Sequence, residues 1–377
     1  MNRIAAASAA LLASTALAQA GGLDRNQLGT GVLFEEGTYA ELGYSFVNPT
    51  VSGVLRAAPV PSGDMADSYS ITTLSYRTEF NENLSFALII DQPYGAASNY
   101  NTAGYPINGT VATLDTQRLT AALRYELTNG LSVYGGAQAL RAEGNIYVSL
   151  ATGNPLTSFS YRLNADSAWK YGFMGGVAYE VPEIALRVAL TYFSDVKLGM
   201  SGTEGLSPGA GGANPTMTAT NFNVTMPETI LLEAQSGIAA DTLLFGSVRY
   251  TAWDGFSITP NRYPDGAGGV GGSLVSYTDD VMTYTLGLGR RLNENWALSG
   301  SISHEASEGT LTGNLGPTDG RTSFGVGAEY TQGAISVAGG VQFTNIGDAT
   351  AGLGGAPFAD FRDNDAIAFG IRIGYQF

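Results

Sequence analysis

Residues 364–377 read NDAIAFGIRIGYQF and alternate between two kinds of side chain over most of their length. One face is apolar and consists of Ile367, Phe369, Ile371, Ile373, Tyr375 and Phe377. The opposite face is small or polar and consists of Ala368, Gly370, Arg372, Gly374 and Gln376. A period of two is that of a β-strand, and this contrast between faces is typical of a strand that separates lipid from a lumen. Arg372 should face the lumen, because a charge at the bilayer centre costs about 2–4 kcal/mol.

The same alternation recurs along most of the chain, and charged residues again share the face of small residues. We therefore predict an all-β fold, a transmembrane antiparallel β-barrel of about fourteen strands. The predicted strands lie near residues 38–54, 67–80, 83–92, 111–127, 130–142, 167–181, 184–197, 220–237, 241–254, 277–292, 295–305, 320–331, 334–346 and 364–377.

The connections between these strands alternate in length. Short turns fall near residues 81–83, 128–130, 182–183, 239–240, 293–295 and 332–333. Long loops fall near residues 55–66, 93–110, 143–166, 198–219, 255–276, 306–319 and 347–363. In such barrels short turns face the periplasm and long loops face the exterior. An even strand count then places both termini in the periplasm and makes residues 38–377 a single closed domain.

The start of the chain predicts export. Arg3 precedes an apolar stretch at residues 4–18, and residues 18–20 form an Ala-Gln-Ala site, so residues 1–20 have the features of a secretory signal peptide. Residues 21–37 are then left before the first strand. A barrel of fourteen strands is too wide to be filled by its own wall side chains, so this segment is expected to plug the lumen. A disordered periplasmic tail is the alternative.

Composition supports a barrel and excludes several other classes of protein. The chain has 51 Gly, 20 Tyr and 16 Phe but only 14% charged residues, which suits lipid-facing strands with aromatic girdles. Its net charge of −15 argues against nucleic acid as a partner. Cysteine is absent and there is one histidine, so neither a disulfide nor a multi-histidine metal site is possible. We predict no metal and no cofactor.

Several motifs in order resemble the FadL/TodX family of hydrophobic-compound transporters. They are residues 39–53, 227–229, 241–243, 250–256, 277–280, 284–289, 292–298 and 316–321, which together cover nearly the whole chain after residue 20. The resemblance implies a monomeric fourteen-stranded barrel with an N-terminal hatch inside it. It also implies uptake of long-chain fatty acids or aromatic hydrocarbons, with a luminal site and a lateral exit at an inward kink of the third strand.

The hatch departs from that family's pattern. Hatches in the family are longer and carry an Asn-Pro-Ala segment before the first strand. Here residues 21–37 have no such segment. The stretch from residue 28 to residue 37 is expected to act as a shortened hatch. Its apolar side chains are the candidates for plugging the lumen: Leu28, Val32, Leu33 and Phe34.

Cations on the predicted luminal faces are candidates for binding a ligand carboxylate, which needs a cation or donors to offset its desolvation. They are Arg118, Arg124, Lys170, Arg187 and Arg372. The alternative is a lumen wall in which these cations are neutralised by the inward carboxylates Glu126, Glu180, Glu233 and Glu329.

The third predicted strand has an irregular end. Asp91 is followed by Gln92, Pro93, Tyr94 and Gly95. Proline cannot donate to a ladder and glycine permits a bend, so pairing with a neighbouring strand should fail near Pro93. Asp91, Pro93 and Gly95 are therefore candidates for a lateral gate. Alternatively, Pro93 ends the strand at the outer rim.

Evidence for catalysis is weak. His304 lies beside Ser301 and Ser303, as in barrel lipases, but strand alternation points both serines away from it. The glycine-rich residues 209–213 and 266–272 lie in loops and do not open helices, so they do not predict nucleotide binding. The acidic loop residues could share divalent cations with lipopolysaccharide or simply be solvated: Asp64, Asp67, Asp360, Asp363 and Asp365.

The function predicted from the sequence is passive uptake of hydrophobic molecules, with fatty acids favoured, across the outer membrane of a Gram-negative bacterium. A porin-like channel for small polar solutes is the alternative, although porins have sixteen or eighteen strands. Phe377, a terminal aromatic residue on the lipid face, resembles the insertion signal read by the barrel assembly machinery.

Overall fold

The computed structural model describes residues 23–25, 29–154, 157–209 and 214–377. The predicted signal peptide, residues 1–20, and Leu28 of the predicted hatch lie outside these residues. Within the described ranges the chain forms twenty-four strands and three short 3₁₀ helices, Gly31–Phe34, Thr128–Gly130 and Pro182–Ile184. Among the helices of these ranges, none is long and apolar enough to cross a membrane.

The strands are β1 Tyr39–Thr50, β2 Gly53–Leu55, β3 Tyr69–Glu79, β4 Leu84–Asp91, β5 Gly95–Asn99, β6 Val111–Glu126, β7 Leu131–Leu150, β8 Phe159–Ser167, β9 Lys170–Val181, β10 Leu186–Phe193, β11 Val196–Pro208, β12 Thr218–Met226, β13 Thr229–Ala239, β14 Thr242–Thr251, β15 Ser257–Ile258, β16 Val275–Ser276, β17 Val281–Arg291, β18 Trp296–Glu305, β19 Leu311–Thr312, β20 Arg321–Gln332, β21 Ile335–Ile346, β22 Ala349–Leu353, β23 Ala356–Phe361 and β24 Asn364–Gln376.

Fourteen of these strands close into a barrel in which each is antiparallel to its neighbours. The order around the wall is β1, β3, β4, β6, β7, β9, β10, β13, β14, β17, β18, β20, β21 and β24. The closing ladder joins β24 to β1, from Tyr39 opposite Gln376 to Thr50 opposite Asp365. Closure leaves no edge strand exposed to lipid, where each unpaired backbone group would cost several kcal/mol. The predicted strand number and topology are confirmed.

Side chains alternate across this wall as the sequence pattern requires. On β24, Phe369, Ile371 and Ile373 are about half exposed on the outer face. Arg372, which lies between Ile371 and Ile373 in sequence, is buried in the lumen. The same contrast holds on β6, where Leu123 and Tyr125 face outward and Arg124 is buried. The exposed apolar side chains therefore form the lipid-facing surface, and the charges lie inside.

Two predicted external loops are wrong, because residues 143–166 and 198–219 are largely strand. β7 continues beyond the wall to Leu150 and pairs with β8; β8 pairs with β11, which pairs with β12. This extension buries one face of each strand on an apolar cluster that includes Leu163, Leu198 and Met226. Alternation alone could not separate these strands from the wall, because burial against a cluster also requires a period of two.

Several predicted strands divide for the same reason. The predicted strand at 184–197 is β10 plus the start of β11, and the predicted strand at 220–237 is β12 plus β13. Pro227 lies between the latter two and cannot donate to a ladder, so it separates the external extension from the wall. The predicted strand at 38–54 is β1 plus most of β2, and the other long loops contain the short strands β5, β15, β16, β19, β22 and β23.

The turns at the opposite end are short, as predicted. In the turn from β6 to β7, Asn129 has φ of 63° and Gly130 has φ of 77°. Two successive residues in this left-handed region fit the right-handed twist of a tight hairpin, which explains the Asn-Gly pair. By the general rule for such barrels, this end faces the periplasm.

Candidate functional site

A cavity of about 130 Å³ lies in the lumen between the N-terminal segment and the wall. Residues 29–32 and Glu35 form one side of it, and side chains from β1, β3, β4, β10, β13, β14, β17 and β24 form the rest. Its charged lining consists of Glu35, Glu41, Asp91, Arg187, Glu233, Arg249 and Arg372. The cavity is thus small and strongly polar on one side, with Val32, Leu231 and Phe245 among its apolar residues.

The N-terminal segment lies inside the barrel. Its 3₁₀ helix, Gly31–Phe34, buries Val32, Leu33 and Phe34. The Phe34 ring meets Tyr134 edge-on with 5.7 Å between ring centroids, and the Leu33 carbonyl accepts a hydrogen bond from Arg124. These three side chains pack on inward residues of β4, β6, β7, β9, β10 and β13, so the segment fills the lumen at this level.

Polar contacts also hold the segment. The Thr30 hydroxyl donates to Glu233, and the Gly37 amide donates to Glu79 over 2.8 Å. Glu35 lies in the lumen beside Arg372, Glu41 and Glu329. Burial raises the pKa of the Glu35 carboxyl from its usual 4.5 to about 7, because the charged form loses its hydration.

Three of the five predicted cations are paired with carboxylates. Arg118 donates to Asp91 through Nε over 2.9 Å and through a second nitrogen, with both side chains buried. Arg124 contacts Glu180, and also Glu126 at 2.9 Å. Arg372 lies 3.4 Å from Glu41. All three are thus paired with carboxylates, but only Arg124 pairs with carboxylates that the alternative of a neutralised wall named, since Arg118 and Arg372 pair with Asp91 and Glu41.

Arg187 and Lys170 differ from these three. Arg187 lines the cavity and places its guanidinium 4.5 Å from the centre of the Phe34 ring. Glu35, Glu180 and Glu233 interact with its charge, but no described carboxylate lies within ion-pair distance of it. Lys170 begins β9 at its outer end, is exposed, and does not line the cavity. The structure therefore brings Arg187 and Arg372 to the cavity and leaves Lys170 outside it.

Arg249 also lines the cavity, although sequence reasoning did not single it out. Alternation on β14 places Arg249 inward, opposite to the lipid-facing Leu244 and Val248. The sequence pattern could therefore have identified it as a luminal cation. Its guanidinium lies 3.3 Å from the carboxylate of Asp24, and both side chains are buried. The Asp24 carboxylate also accepts from Trp253 Nε1 at 3.3 Å.

The wall is irregular at the predicted gate. The ladder between β3 and β4 extends only from the pair Glu79 and Ser85 to the pair Leu74 and Ile90. β4 ends at Asp91, and after Pro93 the chain resumes as β5, which pairs with β6. Between β3 and β5, ladder pairing is therefore interrupted around Pro93.

The N-terminal residues cover this interruption from inside. The Arg25 amide donates to the Pro93 carbonyl and the Gly95 amide donates to the Leu23 carbonyl, each over 2.8 Å. A Cβ at Gly95 would meet the Arg25 side chain, which would have to shift, so glycine leaves room for Arg25 in this position. The Arg25 guanidinium also reaches Asp115 at 2.9 Å.

Aromatic side chains lie above the cavity, towards the external loops. Trp253 is fully buried and meets Tyr94, Phe256 and Tyr277 edge-on, at centroid distances of 5.8, 4.9 and 5.3 Å. They belong to the apolar cluster that also contains Leu23. Packed apolar side chains therefore connect the outer loops with the N-terminal residues at the interruption.

The remaining predicted sites lie apart from the cavity. His304 is exposed on the outer face with Nδ1 2.9 Å from the Thr322 hydroxyl, while Ser303 points inward. Among the described residues, no group of three or more His, Cys, Asp or Glu is arranged to hold a metal. Phe377 is exposed and packs edge-on against Tyr375 with 4.7 Å between centroids.

A closed fourteen-stranded barrel with an apolar outer surface and an N-terminal segment in its lumen defines an outer-membrane β-barrel protein. Residues 21–354 match the family model described as outer membrane protein transport protein (OMPP1/FadL/TodX). This chain therefore belongs to that family, whose members transport hydrophobic small molecules as single-chain barrels in the outer membrane of Gram-negative bacteria.

The fold is similar to those of several solved structures. A FadL homologue from Pseudomonas aeruginosa has a TM-score of 0.78 with 15% identity over 93% of each chain. The toluene transporter TodX of Pseudomonas putida has a TM-score of 0.71 with 13% identity over 98% of each chain. The toluene transporter TbuX of Ralstonia pickettii has a TM-score of 0.70 with 15% identity, again over 98% of each chain. No curated protein sequence matches the chain.

Proposed function

We propose that this protein takes up long-chain fatty acids passively, binds their carboxylate in the luminal cavity, and releases them sideways into the bilayer beside Pro93. The observation that carries the proposal is Arg187. It is a cavity-lining cation whose guanidinium faces the Phe34 ring, with no carboxylate of the described residues at ion-pair distance. A buried anion requires such a partner to offset its lost hydration.

The lateral exit is supported by the interruption around Pro93. There the backbone groups of residues 93–95 bond to Leu23, Arg25 and the Thr116 side chain instead of to β3. Displacing the N-terminal residues frees the Pro93 carbonyl and the Gly95 amide without breaking a ladder of the wall, while Tyr94 stays bonded to Thr116. A fatty acid leaving here enters lipid directly and avoids the aqueous periplasm.

A second candidate ligand, a monoaromatic hydrocarbon, is favoured by the size of the cavity. The luminal cavity of about 130 Å³ is close to the ~150 Å³ of an engineered protein cavity that binds benzene. An acyl chain would need more room, which a shift of the 3₁₀ helix Gly31–Phe34 would supply. TodX and TbuX, two proteins with a similar fold, are toluene transporters. A neutral aromatic ring would not need Arg187.

The test is uptake of labelled oleate and labelled toluene by Gram-negative cells that lack other such transporters. Replacing Arg187→Gln should reduce oleate uptake by roughly an order of magnitude, since a hydrogen bond to a charged group contributes ~1.5–3 kcal/mol. Arg187→Lys should restore part of it, and toluene uptake should not change.

Lys170→Gln is the matched control, because Lys170 is a cation on a wall strand that does not line the cavity. Equal oleate uptake by the wild type and Arg187→Gln would remove the fatty-acid proposal. Toluene uptake that depends on the protein would then favour the aromatic ligand.

A further inference from the structure

One external segment crosses the mouth of the barrel. After β18, the short strand β19 pairs in parallel with β22, and residues 313–318, here called the strap, continue to β20. The strap contacts the opposite side of the mouth at β5 and just beyond it. In the wall, β21, β24, β1 and β3 separate β20 from β4, so the strap spans a large part of the opening.

The far side holds the strap through two hydroxyl groups. Ser98 Oγ donates to the Leu315 carbonyl and the Tyr100 hydroxyl donates to the Asn314 carbonyl, each over 2.6 Å. The Asn314 side chain donates from Nδ2 to the Gly352 carbonyl at 2.7 Å. Both hydroxyl bonds end on backbone carbonyls of the strap, so they depend on its position and not on its side chains.

The base of the same loop is fixed separately. The Asp319 carboxylate accepts the amides of Glu308 and Gly309, each at 2.8 Å. Ser307 Oγ donates to the Asp319 carbonyl at 2.7 Å. These contacts lie within one loop and would persist if the strap left β5. The strap therefore has a fixed base and a far end held by two hydroxyl bonds and by the packing of Leu315 on the apolar cluster.

Two apolar cavities lie beneath the strap, with volumes of about 40 and 20 Å³. Leu315, Gly316 and Thr318 line both, so Leu315 lies between them. The larger cavity also contacts Leu23, the residue whose carbonyl binds Gly95 at the interruption of the wall. The two cavities therefore lie between the strap and the N-terminal residues that cover the interruption.

We propose that the strap is a lid over an entry site, and that the hydrocarbon part of a ligand enters beneath Leu315 when the strap leaves Ser98 and Tyr100. This inference rests on the proposed transport of a hydrophobic ligand. The entry site is mainly apolar, and Asp67 is the one charged residue among the described residues that line it, so it suits a fatty acid tail and an aromatic hydrocarbon equally. Displaced from β5, the strap exposes the cavity that reaches Leu23.

A reversible crosslink tests the lid. The chain has no cysteine, so the double variant Ser98→Cys/Leu315→Cys can be joined specifically by a short bifunctional thiol reagent that dithiothreitol cleaves. Labelled oleate and labelled toluene are the probes, and intact mass confirms the crosslink. Uptake of whichever probe the protein carries should fall to the level of cells without it, and return on reduction.

The matched control is Thr310→Cys/Asp279→Cys with the same reagent. Thr310 Oγ1 donates to Asp279 at 3.1 Å, so this crosslink ties the loop to its neighbour without crossing the mouth. It should leave uptake unchanged. Full uptake with the strap crosslinked, or equal loss in both variants, would overturn the lid. Failure of the uncrosslinked variants and the wild type to carry either probe would instead refute the proposed function.

Discussion

Two parts of the wall border the luminal cavity, and they are closed in different ways. On one side, β13, β14 and β17 form continuous ladders in which Ala234 faces Gly246 and Ser247 faces Thr285. The wall there is thin, because these four residues line both the cavity and an outer depression of about 350 Å³. On the other side, the ladder between β3 and β4 stops at Leu74.

The two sides of the wall differ in which groups form hydrogen bonds with the backbone. In the continuous wall, neighbouring strands supply every ladder bond, and separating them in lipid would cost several kcal/mol for each unpaired group. Around Pro93, the partners are the N-terminal residues 23–25 and a threonine side chain. A thin wall is therefore no exit, whereas an interrupted ladder covered by a separate segment can open.

The largest expected effect comes from closing the interruption. Thr72 on β3 donates its amide to the Gln92 side chain at 3.0 Å, so Thr72→Cys/Gln92→Cys can be crosslinked across it. Uptake of labelled oleate should be nearly abolished by the crosslink and recover on reduction. Leu232→Cys/Val248→Cys, an in-register pair in the continuous wall, is the control and should transport normally. Unimpaired uptake by the first crosslinked variant would exclude an exit at Pro93.

A smaller effect is expected from weakening the cover. Asp24→Asn leaves the buried Arg249 without its ion-pair partner, and breaking a buried pair costs about 3–5 kcal/mol. The N-terminal residues should then leave Pro93 more often, and single-channel conductance in planar bilayers should increase. Asp241→Asn, which breaks an exposed pair with Arg291, should not change it. Identical conductance in both variants would mean that Asp24 does not hold the cover.

The smallest effect concerns pH. Because burial raises the pKa of Glu35 to about 7, the docked hatch favours the protonated carboxyl. Docking should therefore be strongest below pH 4.5, weaken as the pH rises to about 7, and change little above that. Conductance should be lower at the acidic end of this window. Glu35→Gln should abolish the dependence, whereas replacement of its exposed neighbour, Glu36→Gln, should keep it. A wild type with no pH dependence would contradict this role.

Much of the fold could be predicted because lipid imposes one rule on every wall strand. The alternation in residues 364–377 is reproduced in β24, where Ile371 faces out and Arg372 faces in. The external strands β8 and β11 could not be separated from loop or wall, because Leu163 and Leu198 follow the same period while packing on a cluster outside the membrane.

The site was less predictable. Alternation places a side chain inside but does not say which partner it meets there. Arg118 and Arg187 are both inward, yet Asp91 neutralises the first, while the second faces the ring of Phe34. The contact of residues 23–25 with Pro93 joins segments about seventy residues apart, and no local pattern in either one encodes it.

The most direct test of the account is a crystal structure of the protein with a fatty acid brominated along its chain, located by anomalous scattering from bromine. We predict a carboxylate at Arg187 and bromine positions that lead from the luminal cavity to the interruption at Pro93. Bromine found only in the outer depression beside Tyr284, with an unchanged lumen, would contradict it.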